Sequence, residues 1–142
     1  MKRFAFAAAG LLAMSTFAVQ AADAQVRRGA VTDGQGNGAA GSVNCARTPN
    51  AQGCRAGATT RTADGEVNHR SGFAVEGETR SATSEGGFTK SADGTVNQGR
   101  TTTATGANGS VTVDGAYTSG EGRTRTVTCA DASGAVVACP QQ

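Results

Sequence analysis

Ala63-Asp64-Gly65-Glu66-Val67-Asn68 returns 29 residues later as Ala92-Asp93-Gly94-Thr95-Val96-Asn97, and this pair decides the fold class. Looser copies follow at Ala107-Asn108-Gly109-Ser110-Val111 and Ala132-Ser133-Gly134-Ala135-Val136, after intervals of 15 and 25 residues. Asp-Gly and Asn-Gly suit a two-residue hairpin turn, because glycine adopts positive φ freely and Asn or Asp tolerates it. β-Branched residues flank each copy, so each unit reads as strand, tight turn, strand. The repeat is degenerate in sequence but regular in meaning.

Working outward, Arg123-Thr124-Arg125-Thr126-Val127-Thr128-Cys129 alternates with period two. Its threonines take one face, while the arginines, Val127 and Cys129 take the other. Val111 and Val113 share a face in the same way, and Thr101-Thr102-Thr103-Ala104-Thr105 adds a strand-prone run. Helix is disfavoured by abundant Gly and Thr and by the absence of any apolar 3.6 period after residue 24. The expected fold is all-β, a meander or solenoid-like stack of about eight to ten short antiparallel hairpin strands over residues 58–142. A partly or fully disordered chain is the competing reading.

The disorder reading comes from composition. Beyond residue 24 there is no Leu, Ile or Met, and the large apolar side chains are eleven Val, two Phe and one Tyr among 118 residues. Burying one such side chain contributes about 1.5–3 kcal/mol, whereas ordering each residue costs roughly 1–2 kcal/mol of backbone entropy. A conventional core is therefore out of reach. Any fold has to lean on backbone ladders, small side chains, disulfides or self-association. Residues 25–57, with the turn cluster Asp33-Gly34-Gln35-Gly36-Asn37-Gly38 and no periodicity, are expected to form a flexible Gly-rich segment holding one disulfide loop.

Residues 1–24 read as a cleavable export signal: Lys2 and Arg3, then the apolar run Phe4 to Phe17, then small residues at two candidate cuts, after Ala21 or after Ala24. The apolar run is shorter than the ~20 residues that span a bilayer. A secreted or periplasmic address in a bacterial cell envelope is expected, with no membrane insertion after cleavage. Cysteine usage agrees, since Cys45 and Cys54, and Cys129 and Cys139, form two local pairs in a chain bound for an oxidising space. Local pairing is one of three connectivities and the one favoured. Each closed loop would then contribute about 2–3 kcal/mol.

Charge excludes little. Removing Lys2, Arg3 and Asp23 from the 13 cations and 11 acids leaves 11 against 10, and this balance gives no support to nucleic-acid binding. Catalytic and metal motifs are weak. Gly36-Asn37-Gly38-Ala39-Ala40-Gly41 matches G-x-G-x-x-G without the helix and acidic partner that a dinucleotide site needs. Asp33 to Gly38 resembles the start of a calcium loop, but Asn44 stands where the bidentate Glu belongs.

Neither cysteine pair has zinc spacing, and His69, the single histidine, lies between polar neighbours where it is expected to be solvated. Glu76 and Glu78 are carboxylates that nothing in the sequence encloses. No catalytic residue, metal or cofactor is assigned, and the chain is read as non-enzymatic.

One constellation bears on partners. Arg61, Arg70, Arg80, Lys90 and Arg100 recur every nine or ten residues, a spacing that could align them into a basic stripe on the sheet. The expected function is a structural, surface or matrix role with self-association. The alternative is a binding module that holds an anionic cell-surface polysaccharide on that Arg-bearing face.

Overall fold

The protein is described by a computed structural model over residues 25–140. The export signal read at residues 1–24 lies outside the described residues. Nine strands follow one another: β1 (Gln25–Thr32), β2 (Gly38–Thr48), β3 (Ala51–Arg61), β4 (Val67–Gly77), β5 (Ser81–Lys90), β6 (Val96–Gly106), β7 (Gly109–Thr118), β8 (Gly122–Asp131) and β9 (Val136–Val137). They form one antiparallel sheet in sequential order, a meander rather than a stacked solenoid. The sheet is a single layer. Among the described residues only Cys129 and Ser84 are buried.

The hairpin units close as the repeat requires: the Asn108 copy by the two-residue loop expected, Ala107 and Asn108 between the paired Gly106 and Gly109, and the other three by a longer loop. Arg61 pairs with Val67, the Thr62 N–H donates to the Glu66 carbonyl at 3.0 Å, and the Gly65 N–H donates back to the Thr62 carbonyl at 3.0 Å. Ala63, Asp64 and Gly65 therefore form a three-residue loop whose last residue carries the positive φ, 95° at Gly65. The same pair of bonds closes Ser91 to Thr95 and Asp131 to Ala135. A turn of this kind needs glycine at one position only, and the right-handed twist of the flanking strands is kept by the bulge that follows.

The ladder starts earlier than the composition indicates. β1, β2 and the first part of β3 occupy the segment expected to be flexible, and all eight residues of β1 pair with β2, from Gln25↔Cys45 to Thr32↔Gly38. This replaces a loose 25–57 segment with two and a half ladder strands. The physical reason is that a one-layer sheet does not require a buried face. Ala- and Gly-rich strands can join it through backbone hydrogen bonds without showing the period-two hydrophobic signal.

Both local disulfides are present. Cys45 and Cys54 face each other across β2 and β3 with Cα atoms 4.0 Å apart, and Cys129 in β8 reaches Cys139 just beyond β9 with Cα atoms 5.3 Å apart. Intramolecular disulfides of this kind are typical of an oxidising or exported compartment.

Near the middle of the sheet the strands approach closely at Gly86 and Gly87 of β5. A Cβ on Gly86 would lie 2.3 Å from the Gly99 carbonyl oxygen, and one on Gly87 would lie 2.0 Å from that of His69. Only a residue without a side chain fits between those backbones.

Candidate functional site

Register converts alternation along each strand into rows across the sheet, and the rows sort the residues by chemistry. Residues paired directly across strands lie on one face. The sequence Thr59↔His69, His69↔Phe88, Phe88↔Gln98, Gln98↔Tyr117, Tyr117↔Arg123 therefore forms one row over six strands, β3 to β8. The next row on the same face is Gly57, Ser71, Gly86, Arg100, Gly115 and Arg125, continued to Ser42 and Arg28 at the β1 edge. On the other side of the aromatic row stands Arg61, Val67, Lys90 and Val96.

Eleven of the fourteen large apolar residues share this aromatic face; Val31, Val43 and Val136 are the exceptions. A stretch of it toward the C-terminal disulfide is aliphatic, with Val75, Ala82, Ala104, Val111, Cys129 and Val137 in one row. The opposite face is rich in threonine: Thr83, Thr103, Thr112 and Thr128 form a continuous row, in which the Thr103 and Thr112 hydroxyls bond at 3.0 Å.

Charge divides in the same direction. Arg28, Arg55, Arg61, Lys90, Arg100, Arg123 and Arg125, seven cations, lie on the aromatic face. Among the described strand residues its one carboxylate is Asp131, at the end of β8, and that carboxylate accepts from Ser133 and Ala135 in its own turn. Glu76, Glu85 and Asp114 are all on the threonine face. A near-neutral chain thus presents one strongly positive surface.

Of the five cations expected to align, Arg61, Lys90 and Arg100 are on the aromatic face. Arg70 projects from the threonine face, where it pairs with Ala58 and Gly87. Arg80 stands outside the strands, in the β4–β5 turn, where its carbonyl accepts from the Gly77 N–H at 2.8 Å. The nine- or ten-residue spacing was the wrong ruler, because it ignores how many residues each turn consumes. Arg28, Arg55, Arg123 and Arg125 were missed for the same reason.

Arg100 is the member of the group whose guanidinium is hydrogen-bonded to other side chains. Its guanidinium donates to Ser84 Oγ at 2.8 Å and to Ser71 Oγ at 2.9 Å, reaching over β5 to β4. Ser84 Oγ also bonds Thr102 Oγ1 at 2.9 Å. The fork of donors on arginine suits this two-point attachment, and the absence of a side chain on Gly86 leaves the guanidinium room to lie there: a Cβ at Gly86 would sit 2.9 Å from the Arg100 Cβ.

His69 is not freely solvated as its sequence neighbours indicated. It is half-buried, its Nδ1 lies 2.8 Å from Thr59 Oγ1, and its ring stacks on Phe88 with centroids 5.5 Å apart. Farther along the row the Arg123 guanidinium lies over the Tyr117 ring, 6.0 Å from its centroid. Toward the β1 edge lies an open trough of about 730 Å³ lined by Arg28, Ser42, Asn44, Arg55, Thr59 and His69 among others.

The glycine-rich run at 36–41 enters β2 directly and opens no helix. In the calcium-like loop, the Asp33 carboxylate is already occupied, accepting from the Gln35 N–H at 2.8 Å, the Asn37 N–H at 3.1 Å and the Asn37 amide at 2.5 Å. These bonds, that from the Asn37 side chain above all, hold the Asp33 carboxyl below the usual range. Asp131 is lowered likewise, chiefly by the Ser133 hydroxyl. Among the described residues, no group of three or more metal-ligating side chains comes together. No protein-family model, curated protein or solved structure matches this chain.

Proposed function

We propose that this is a non-enzymatic exported protein of a cell surface or extracellular matrix whose working part is the positive, aromatic face of its sheet, used to hold an anionic polymer. The observation that carries this reading is the segregation of seven cations onto one face whose single carboxylate among the described strand residues, Asp131, is bound in its own turn. A cluster of like charge is costly to hold together and is stabilised by a ligand of the opposite sign. The local disulfides fit the oxidising space to which the reading of residues 1–24 as a signal would send the chain.

The test is retention on immobilised heparin or alginate at low ionic strength. Binding should weaken as salt screens the contacts and be lost when Arg28, Arg100 and Arg125 are together replaced by Ser. Replacing Arg70, on the other face, should leave it unchanged. No retention of the wild-type protein at low salt overturns the reading.

Self-association is the second reading. It is favoured by the outer edge of β1, which pairs with no strand among the described residues, and by β8, which β9 covers only at Cys129 and Ala130. Both edges carry arginines, Arg27 and Arg28 on one and Arg123 and Arg125 on the other, a placement that opposes edge-to-edge growth. Light scattering of the oxidised protein across concentrations tests it, with a strictly monomeric result counting against it.

A further inference from the structure

The aromatic row gives the ligand a direction and a chemistry. We propose that an anionic polysaccharide lies across the strands, perpendicular to them, with its sugar rings on the ridge formed by His69, Phe88 and Tyr117 and its acidic groups on Arg100 and Lys90 to either side. This assignment rests on the reading of the positive face as a polyanion site and adds to it which residues the ligand follows.

The geometry of the row supports a track. It crosses six neighbouring strands without interruption, which at the usual strand spacing is about 24 Å. Phe88 is 36% exposed although it is already stacked on His69. The Arg-bearing row beside it has Gly57, Gly86 and Gly115 on alternate strands. Gly57 and Gly115 set no side chain beside the ridge, and at Gly86 the Arg100 side chain lies across the row, held by Ser71 and Ser84.

The same details favour a glycan over single-stranded nucleic acid. A base binds by placing its flat face on a free aromatic ring, and here His69 and Phe88 each give one face to their mutual stack. They offer an apolar ridge rather than two separate slots. Sugar rings meet such a ridge with their C–H faces, while their hydroxyls need amide and hydroxyl partners, which Gln98 and Thr59 supply within the row itself.

Affinities of the oxidised full-length mature chain for alginate, for polyphosphate as a polyanion without rings, and for single-stranded DNA would test the proposal. The variants are Phe88→Ala and Tyr117→Ala, each checked for folding by circular dichroism; Tyr117, near the β8 edge, serves if the Phe88 variant does not fold. The expected result is that each variant weakens alginate binding about tenfold, as for loss of one stacked ring, and leaves polyphosphate binding unchanged. Equal effects on both polymers, or none on either, overturn the track while Arg-dependent binding stands. Tighter binding of DNA than alginate overturns the choice of ligand. Failure of the wild-type protein to bind any polyanion overturns the track together with the reading beneath it.

Discussion

Arg100 in β6 is tied to Ser71 in β4, its guanidinium donating to the serine Oγ at 2.9 Å across the intervening strand. The second bond, to Ser84 of β5, ends on one of the two buried residues of the described chain. In a sheet without a second layer, a side chain that bridges three strands replaces part of what a core would do.

Replacing Arg100 by Ala should therefore cost stability as well as ligand affinity. About 1 kcal/mol is expected for the lost hydrogen bonds at this partly screened site. Arg125→Ala, in the same row on β8, should stay within roughly 0.5 kcal/mol of wild type, as surface substitutions do. Urea denaturation of the two variants measures the difference, and equal losses would remove the bridging role.

Gly86 and Gly99 are neighbours in the ladder with opposite tolerances. A Cβ on Gly86 meets the Gly99 carbonyl oxygen at 2.3 Å, whereas one on Gly99 meets nothing within 4 Å. Gly86→Ala should destabilise by about 1–3 kcal/mol through backbone displacement. Gly99→Ala should be neutral or raise stability by up to roughly 1 kcal/mol, since alanine reduces the freedom of the unfolded chain. Thermal denaturation separates the two.

The turn aspartates set the acid response. Asp33, Asp64, Asp93 and Asp131 are all held below the ordinary carboxylate range by hydrogen bonds within their turns. A carboxyl whose folded pKa is depressed stabilises the protein fully above its unfolded value, about 3.9. That stabilisation disappears as pH falls through the folded value. Stability should be flat from neutral pH to about 5 and decline below about 4. Asp131→Asn, which keeps the acceptor oxygen and removes the titration, should flatten part of that decline in denaturant melts taken from pH 6 to 2.5.

The two disulfides should fail differently. β9 is held by two ladder pairs, Cys129↔Val137 and Ala130↔Val136, so Cys129→Ser with Cys139→Ser should release it and raise hydrogen exchange at Val136 and Val137. Removing Cys45 and Cys54 acts on β2 and β3, which pair along eleven residues. The strands should stay paired while global stability drops by about 2–3 kcal/mol. Exchange localised at β9 in the first variant and spread over the sheet in the second is the expected pattern.

How much of this was legible without the fold follows from where each piece of information resides. For the cysteines the sequence favoured local pairing among three connectivities, and the structure decided it. Hairpin units, strand character and the faces of Arg123 to Cys129 all depend on residues within about ten positions of one another. The sequence determined them by itself. The joining of Gln25 to Gly57 to the ladder did not show, because Gly- and Ala-rich strands pair through backbone groups that every sequence has. Which cations meet was decided only by the tertiary structure. Arg61 and Arg70 lie nine residues apart on opposite faces, while Arg61 and Lys90, 29 apart, share one. Side chains alternate strictly along a strand, so one residue more or less in a turn inverts every position that follows. Turn lengths, fixed by backbone hydrogen bonds at Thr62 to Glu66 and its counterparts, are what place Arg61, Lys90, Arg100, His69 and both phenylalanines on one surface.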